Sequence, residues 1–533
     1  MKKFLIILMS SMIFFTSCAK DKKPEEIPQI INDNYRNYYE IYVGAFSDSD
    51  GDGIGDIRGI IEKLDYLNDG DVKTTDDLGI TGIWLMPIMP SDTYHKYDVK
   101  DYKAVDEDFG TMEDFEELVS LCNERGIDII LDLVLNHSAY DHPWFVSART
   151  SMRNAPCGQE TCTEEKLCPE HNKYVEYYHF SKEKETSKWH RSLGSEWYYE
   201  GEFWDKMPDL NLDNEELRAE IVDICKFWLD KGIKGFRLDA TTHFYRENVS
   251  QNTEFLKWLT DELKKIKSDI YMVGEAWTSN TIINNMYESG MPSFFNFPMS
   301  NANGNIIKSV KSGKANDIAQ IIEDWQKTIR KSNPDAIDAT FLTNHDNARS
   351  FGALSRKYEL AKMAASVYML MPGNSFIYYG EEIGMTGSGA DENKRQPMIW
   401  SVEKDDFIPS PVVGSTNNDK PEKGVEEQLK DNNSLVNFYK KIIRTKDLNP
   451  EIARGTVTAI EMENESVCAY VSEYEGSKVY IIHNFSKEGI DITLDNNIFN
   501  DVDIRAELCA NGGEISLEDN KLSMPALSTV ILK

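Results

Sequence analysis

Basic residues are scarce in this chain. Lysine and arginine total 58 against 90 aspartates and glutamates in 533 residues, a net charge of −32 and a pI of about 4.7. Such a surface repels phosphate backbones and anionic lipids, which excludes the usual modes of nucleic-acid binding. Cysteine is also sparse, at eight residues, so the fold cannot be a disulfide scaffold and must rest on an apolar core. No run spans a bilayer: the one long apolar stretch, 4–15, has 12 residues, against the roughly 20 that a membrane helix needs. There is no internal repeat and no extended low-complexity segment. What remains is globular composition, 41% hydrophobic, 28% charged and 11% aromatic. At roughly 150 residues per domain, the length corresponds to three or four domains.

The N-terminus reads as a targeting segment. Met1-Lys2-Lys3 is a basic n-region, 4–15 an apolar h-region, and Thr16-Ser17-Cys18 a run of small residues ending in cysteine. This resembles a bacterial lipoprotein signal cut before Cys18, which implies export, lipidation of Cys18 and anchoring to the cell envelope. An ordinary secretory signal is the alternative. Residues 19–34 are charged and proline-containing, the composition of a flexible tether. Cys122 and Cys225 fall on amphipathic patterns and are expected as buried thiols. Cys157, Cys162 and Cys168 cluster ahead of His171. In an exported protein the expectation is one disulfide with a leftover thiol; a zinc site of three thiolates and an imidazole is the alternative.

Short β-branched and aromatic runs recur at 38–46, 81–89, 128–136, 234–240, 271–277, 293–298, 338–344 and 375–380. Helical periodicity lies between most of them, at 57–67, 112–125, 215–231, 253–267, 316–331 and 357–371. Alternation of this kind predicts an α/β fold, a (β/α)8 TIM barrel, over an open doubly wound sheet. Residues 138–206 interrupt the alternation after the third strand and read as an inserted subdomain, leaving 35–137 and 207–447 as the barrel. From 448 to 533 the pattern changes to alternating strands, expected as a separate all-β sandwich.

Polar residues gather at the predicted strand ends. Strand three runs out in Asp132-Leu133-Val134-Leu135-Asn136-His137, strand four in Arg237-Leu238-Asp239-Ala240 with His243 beyond, strand five in Glu275-Ala276-Trp277, and strand seven in Asn344-His345-Asp346. A barrel converges its strand ends on one mouth, so Asp239, Glu275 and Asp346 would face one another. Carboxylates that crowd a pocket push at least one pKa upward and keep an acid protonated. A carboxylate pair flanking one bond is the apparatus of glycoside hydrolysis.

These four segments resemble the signature regions of the α-amylase superfamily (glycoside hydrolase family 13). A fifth, Met207-Pro208-Asp209-Leu210-Asn211, is similar to the family's segment at the end of the inserted subdomain. The resemblance runs from about Tyr38 to the C-terminus. It implies a retaining hydrolase of α-1,4-glucosidic bonds in starch-type polysaccharides and maltooligosaccharides, with Asp239 as nucleophile, Glu275 as acid/base and Asp346 as transition-state stabiliser. It further implies that Arg237 keeps Asp239 ionised, that His137, His243 and His345 contact the sugar, and that Tyr97, with His95 beside it, forms the platform beneath. Tyr94 stands where exo-acting relatives often carry Asp, and Ala240 where α-1,6-specific relatives tend to carry Val; both favour endo α-1,4 cleavage. Thr242 departs from the Lys common in α-amylases. An oligosaccharide-acting α-glucosidase, a cyclomaltodextrinase or neopullulanase, and a glucanotransferase are the neighbouring readings. A non-catalytic starch-binding lipoprotein is the rival of another class, and retention of all three carboxylates speaks against it.

A second motif is Asp48-Ser49-Asp50-Gly51-Asp52-Gly53-Ile54-Gly55-Asp56. Oxygen donors at alternate positions with glycine between them suit a wrapped Ca2+ loop, with the Ile54 carbonyl as a further donor and Asp56 closing the set. Gly59 at position twelve excludes a full EF-hand. Aromatic residues crowd 189–204; stacking on sugar faces is one reading, and core packing of the subdomain is the expectation for any one of them.

Overall fold

The computed structural model describes residues 26–158, 162, 167–404 and 407–533. The expected N-terminal signal and Cys18 lie outside the described residues. Eight parallel strands form the centre: β1 Asn37–Ile41, β2 Gly82–Leu85, β3 Asp128–Leu133, β4 Gly235–Leu238, β5 Tyr271–Gly274, β6 Ser293–Phe294, β7 Ala339–Phe341 and β8 Asn374–Tyr378. Their hydrogen-bonded order is β6-β5-β4-β3-β2-β1-β8-β7. A parallel bridge between Phe295 and Ala339 joins β6 to β7 and closes the circle. This is a (β/α)8 barrel, and each of the eight predicted runs contributes one stave.

Why these segments form staves is visible in their parity. Alternate side chains of a strand face opposite ways. Tyr38, Trp84, Ile130, Tyr271, Val273, Phe341 and Phe376 share one compact cluster, the barrel interior, in which Tyr38 stacks on Tyr271 at 5.3 Å and on Phe376 at 4.7 Å. Their neighbours Tyr39, Ile83, Ile129, Phe236, Met272 and Ile377 belong to the larger cluster shared with the helices. Because both faces are apolar, these strands read as continuous hydrophobic runs. Glycine makes room where the interior is crowded: a Cβ on Gly82 would lie 2.4 Å from the Tyr38 ring.

The surrounding helices follow from capping and periodicity. In Met112–Glu124, Thr111 and Asp114 form a capping box. In Glu215–Asp230, Asn214 caps the Leu217 amide, while Leu217, Ile221, Ile224, Cys225 and Trp228 make the buried stripe. Cys122 and Cys225 are buried thiols, as expected. The helices Asn280–Tyr287, Asn305–Ser312 and Leu435–Asp447 complete the set without having been predicted.

Residues 138–206 leave the barrel after β3. They carry the helix Pro143–Ser151 and a small antiparallel sheet of Phe180–Ser181, Tyr198–Glu200 and Trp189–Arg191. Bridges His137–Asp209 and Tyr178–Leu210 seal its base. Trp189 and Tyr199 are buried, whereas Phe203 and Trp204 are roughly half exposed. The C-terminal domain pairs a five-stranded antiparallel sheet with a three-stranded one around Val467, Ile482, Leu522, Val530 and Leu532. Alternating runs at 466–471, 478–483, 490–494 and 527–532 mark four of its eight strands in the sequence; Thr456–Ile460, Ile504–Cys509, Ser516–Glu518 and Lys521–Met524 carry no such mark. The described part of the expected tether lies against the body, with Arg454 donating to both oxygens of Asp33 at 2.7 and 3.0 Å and Arg444 donating to the Glu26 carbonyl at 2.7 Å.

Candidate active site

The inward parity of the staves carries past their C-terminal ends. Asp132 is in register with Arg237, and Arg237 with Val273. Two residues further on, the same inward face presents Asp239 and Glu275. The Arg237 side chain is fully buried. Its Nη1 donates to Asp132 Oδ1 and to Asp239 Oδ1, both at 2.8 Å. Its Nη2 lies 3.0 Å from Glu275 Oε2, off the hydrogen-bond line, so that Nη2 and Nε have no hydrogen-bond partner. The Trp84 ring covers the guanidinium at 5.1 Å. One cation thus gathers three carboxylates.

Glu275 is tied to the loop that follows Asp239 by the backbone. The Ala240 amide donates to Glu275 Oε2 at 3.0 Å, and the Thr241 hydroxyl donates to the Glu275 carbonyl at 2.6 Å. Ala240 has φ of +49°, a left-handed conformation that costs a non-glycine residue on the order of 1 kcal/mol and tends to be kept at functional sites.

Across the mouth, Asp346 accepts from Arg395 Nη2 at 2.9 Å and lies 3.1 Å from His345 Nε2. His345 Nδ1 is 2.6 Å from Glu40 Oε1. Tyr97 donates its hydroxyl proton to Asp132 at 3.0 Å and its oxygen lies 2.8 Å from His345 Nε2, with the two rings stacked at 5.7 Å. His137 is buried, and its Nε2 has no partner. Phe203 bridges the pocket wall, 5.4 Å from the His137 ring and 5.0 Å from the His243 ring. His95 anchors the Tyr97 turn by accepting from the Tyr97 amide at 3.1 Å.

The electrostatics follow from burial. Desolvation raises Glu275; Arg237 opposes it, and the charges of Asp239 and Asp346 add to it. Desolvation also raises Asp239 against the opposing guanidinium. The Arg237 guanidinium acts on Asp239 in the expected direction, favouring the carboxylate, but it is divided among Asp132, Asp239 and Glu275 and so works against burial at all three. Asp132 is pushed up to about 7 by burial. Burial lowers His137 and His95 to about 4, so both are neutral acceptors or donors near neutrality. His345 behaves oppositely: burial disfavours its charge, yet Asp346 and Glu40 raise it to about 9. A doubly protonated ring satisfies Glu40 at Nδ1 and Tyr97 or Asp346 at Nε2.

Asp239, Glu275, Asp346, Arg237, His345, Tyr97, His137, His95 and His243 thus converge on one mouth. Sequence reasoning missed Glu40, Trp84, Asp132, Phe203 and Arg395 as parts of it. Strand parity could have found Glu40 and Asp132. Arg395 comes from a loop after β8, and no local pattern marks it.

In the acidic loop, Asp48, Asp50 and Asp56 bring carboxylate oxygens within 4.8 Å of one another. Asp52 is outside that group and accepts from the Ile54 amide at 2.7 Å. Gly53 has φ of +96°, which the turn requires. Three convergent carboxylates fit a hard cation. The three thiols at 157, 162 and 168 are also drawn together with His171, and no disulfide joins the described cysteines.

Residues 40–455 match the α-amylase catalytic domain family. The chain belongs to the α-amylase family. It is a glycoside hydrolase, and residues 467–531 match the C-terminal domain described from the α-amylase SusG. Among relatives of this family, α-amylase 3 of Dictyoglomus thermophilum is 38% identical over 94% of this chain and 93% of its own length. An oligo-1,6-glucosidase of Bacillus cereus is 31% identical over 84% of this chain and 90% of its own. The solved structure of Eubacterium rectale Amy13B superposes with a TM-score of 0.87 at 40% identity, covering 95% of this chain and 96% of that one.

The His345 pair makes a pH prediction. Its raised folded pKa means the native state binds more protons than the unfolded chain between about pH 6.5 and pH 9. The stabilisation, about 3 kcal/mol at most, is complete below the unfolded value and is lost as pH rises through 9. Melting curves from pH 6 to pH 9.5 should fall more steeply for wild type than for His345→Gln; parallel curves would refute the assignment.

Proposed function

We propose that this α-amylase family member is an endo-acting, retaining hydrolase of α-1,4-glucosidic bonds in starch and maltooligosaccharides. The observation that carries the reading is the convergence of Asp239 and Glu275 on the single Arg237 guanidinium, with Asp346 across the mouth. Glu275, whose protonated form is favoured by burial beside other carboxylates, gives its proton to the glycosidic oxygen as the bond breaks. Asp239, kept available as a carboxylate by its hydrogen bond from Arg237, forms a bond to the anomeric carbon. Water then attacks that carbon, yields its proton to Glu275, and releases Asp239. Asp346, fixed by Arg395 and His345, takes ring hydroxyls and strengthens its bonds as positive charge develops. The partnerless His137 Nε2 and the Tyr97 ring supply the sugar-binding wall. Ala240 and Tyr94 support α-1,4 and endo action over the α-1,6 specificity named for the Bacillus relative.

Reducing-sugar release from soluble starch should fall roughly 10⁴-fold in Asp239→Asn. In Glu275→Gln it should fall about 10²–10⁴-fold, and less on an aryl glucoside whose leaving group needs no proton. Equal rates in wild type and Asp239→Asn would sink the mechanism. Digestion of maltoheptaose, pullulan and a cyclodextrin decides the linkage preference.

The acidic loop is assigned as a structural Ca2+ site of Asp48, Asp50 and Asp56, with Asp52 and the Ile54 carbonyl as candidates to complete the shell. Chelation by EDTA should lower the melting temperature of wild type by several degrees and leave Asp48→Asn nearly unmoved; a wild-type curve indifferent to EDTA argues against any metal there. The chain is further assigned as an exported lipoprotein anchored through Cys18. Cys18→Ala should then shift it from the membrane to the soluble fraction, and an unchanged distribution rejects the anchor.

A further inference from the structure

The inserted subdomain holds a cluster that the chemistry above does not use. Cys157, Cys162, Cys168 and His171 place one ligand atom each within 4.8 Å of all the others. His171 Nδ1 is 3.4 Å from Cys157 Sγ, 3.4 Å from Cys162 Sγ and 3.1 Å from Cys168 Sγ. The sulfurs of Cys157 and Cys162 are 3.3 Å apart.

Without a cation this arrangement is difficult to account for. A neutral imidazole nitrogen has one lone pair and accepts one good hydrogen bond, yet three sulfurs crowd Nδ1 of His171 at 3.1–3.4 Å. A disulfide between any two sulfurs would have no use for His171 and would leave the third thiol against it. A tetrahedral zinc ion explains all four. With Zn–S near 2.3 Å and Zn–N near 2.0–2.1 Å, the edges of the tetrahedron come to about 3.5 Å for S···N and about 3.8 Å for S···S. The edges from His171 to Cys157 and Cys162, 3.4 Å each, agree with this, while the 3.1 Å edge to Cys168 and the 3.3 Å edge between the sulfurs of Cys157 and Cys162 are shorter.

The surroundings have the character of a structural site. The His171 amide donates to the Cys168 carbonyl at 3.2 Å, closing the turn between two of the ligands. Next to it, Asn172 is buried and donates to Ser147 Oγ at 2.9 Å and Ser151 Oγ at 2.7 Å, pinning the turn to the helix Pro143–Ser151. Asn154 Nδ2 donates to the Leu167 carbonyl at 3.0 Å. Cys168 is buried. The segment between this helix and residue 172 has little apolar material of its own, and small units of that kind are commonly held by a metal or disulfide staple.

We propose that Cys157, Cys162, Cys168 and His171 bind one zinc ion in a closed Cys3His site that clips the loop of the inserted subdomain onto its helix. All four positions are filled by protein ligands, so the ion is structural and offers no open position for catalysis. The site is independent of the glycosidase assignment.

The test uses the full chain purified without chelator. Elemental analysis should find about one zinc per chain. Stoichiometry should fall at least tenfold in Cys157→Ser and Cys168→Ser and persist in His171→Cys, which keeps four soft ligands. Because the serine variants could misfold, wild-type protein stripped of metal and kept reduced is also titrated with Co2+ alone. A tetrahedral thiolate site gives visible d–d bands and near-ultraviolet sulfur-to-cobalt charge transfer, abolished by one equivalent of Zn2+. Absence of those bands overturns the proposal. So does zinc content unchanged in the cysteine variants, or a disulfide between two of the three residues in the chain as isolated, found by non-reducing peptide mapping.

Discussion

The structure depends on one buried cation. Arg237 sits with no solvent exposure among Asp132, Asp239 and Glu275. An isolated guanidinium in that place would be prohibitively costly, and so would carboxylates without it. The guanidinium needs carboxylates to be tolerated there and the carboxyl groups need the guanidinium to ionise, so the barrel mouth is electrostatically specified as a unit. The apolar layer of Tyr38, Tyr271, Phe295 and Phe376 lies among the staves inside the barrel, and Trp84 stands directly over the guanidinium. Dry walls sharpen the competition between burial, which protonates acids, and the guanidinium, which ionises them. That competition sets the balance of protonated and ionised carboxyl groups at the mouth.

A second circuit balances the first. His345 is charged because Glu40 and Asp346 face it, and Arg395 holds the other oxygen of Asp346. Tyr97 joins the circuits through its bonds to Asp132 and His345. The side chains that would touch sugar are therefore oriented by neighbours that would not. The inserted subdomain supplies the last wall: Phe203 reaches His137 and His243 from a segment in which Trp189 and Tyr199 are spent on packing. Its shape matters to the cleft, which gives a physical reason for the loop of that subdomain to be clipped.

Much of this was legible before any coordinates. Alternation of short apolar runs with amphipathic helices gave the barrel, because staves covered on both faces must be apolar throughout. The positions of Asp239, Glu275 and Asp346 at strand ends placed them at one mouth, because parallel staves all finish on the same side. The short strands of the C-terminal domain were half missed, since Ser516–Glu518 and Lys521–Met524 bury one face only and are bounded by turns that dilute the pattern. Within the acidic loop, composition marked five donors but could not show that the Asp52 side chain turns onto the Ile54 amide.

Local order in the chain by itself determined the architecture and set three acidic side chains at stave ends, because periodicity and strand-end position are written in nearest neighbours. The partners of those acids were decided only by closure of the barrel. Glu40 and His345 are 305 residues apart, and Arg395 reaches Asp346 from beyond the eighth stave; no spacing encodes such pairs. The same holds for the charge states, since the division of one guanidinium among three carboxylates exists only once all four are enclosed together.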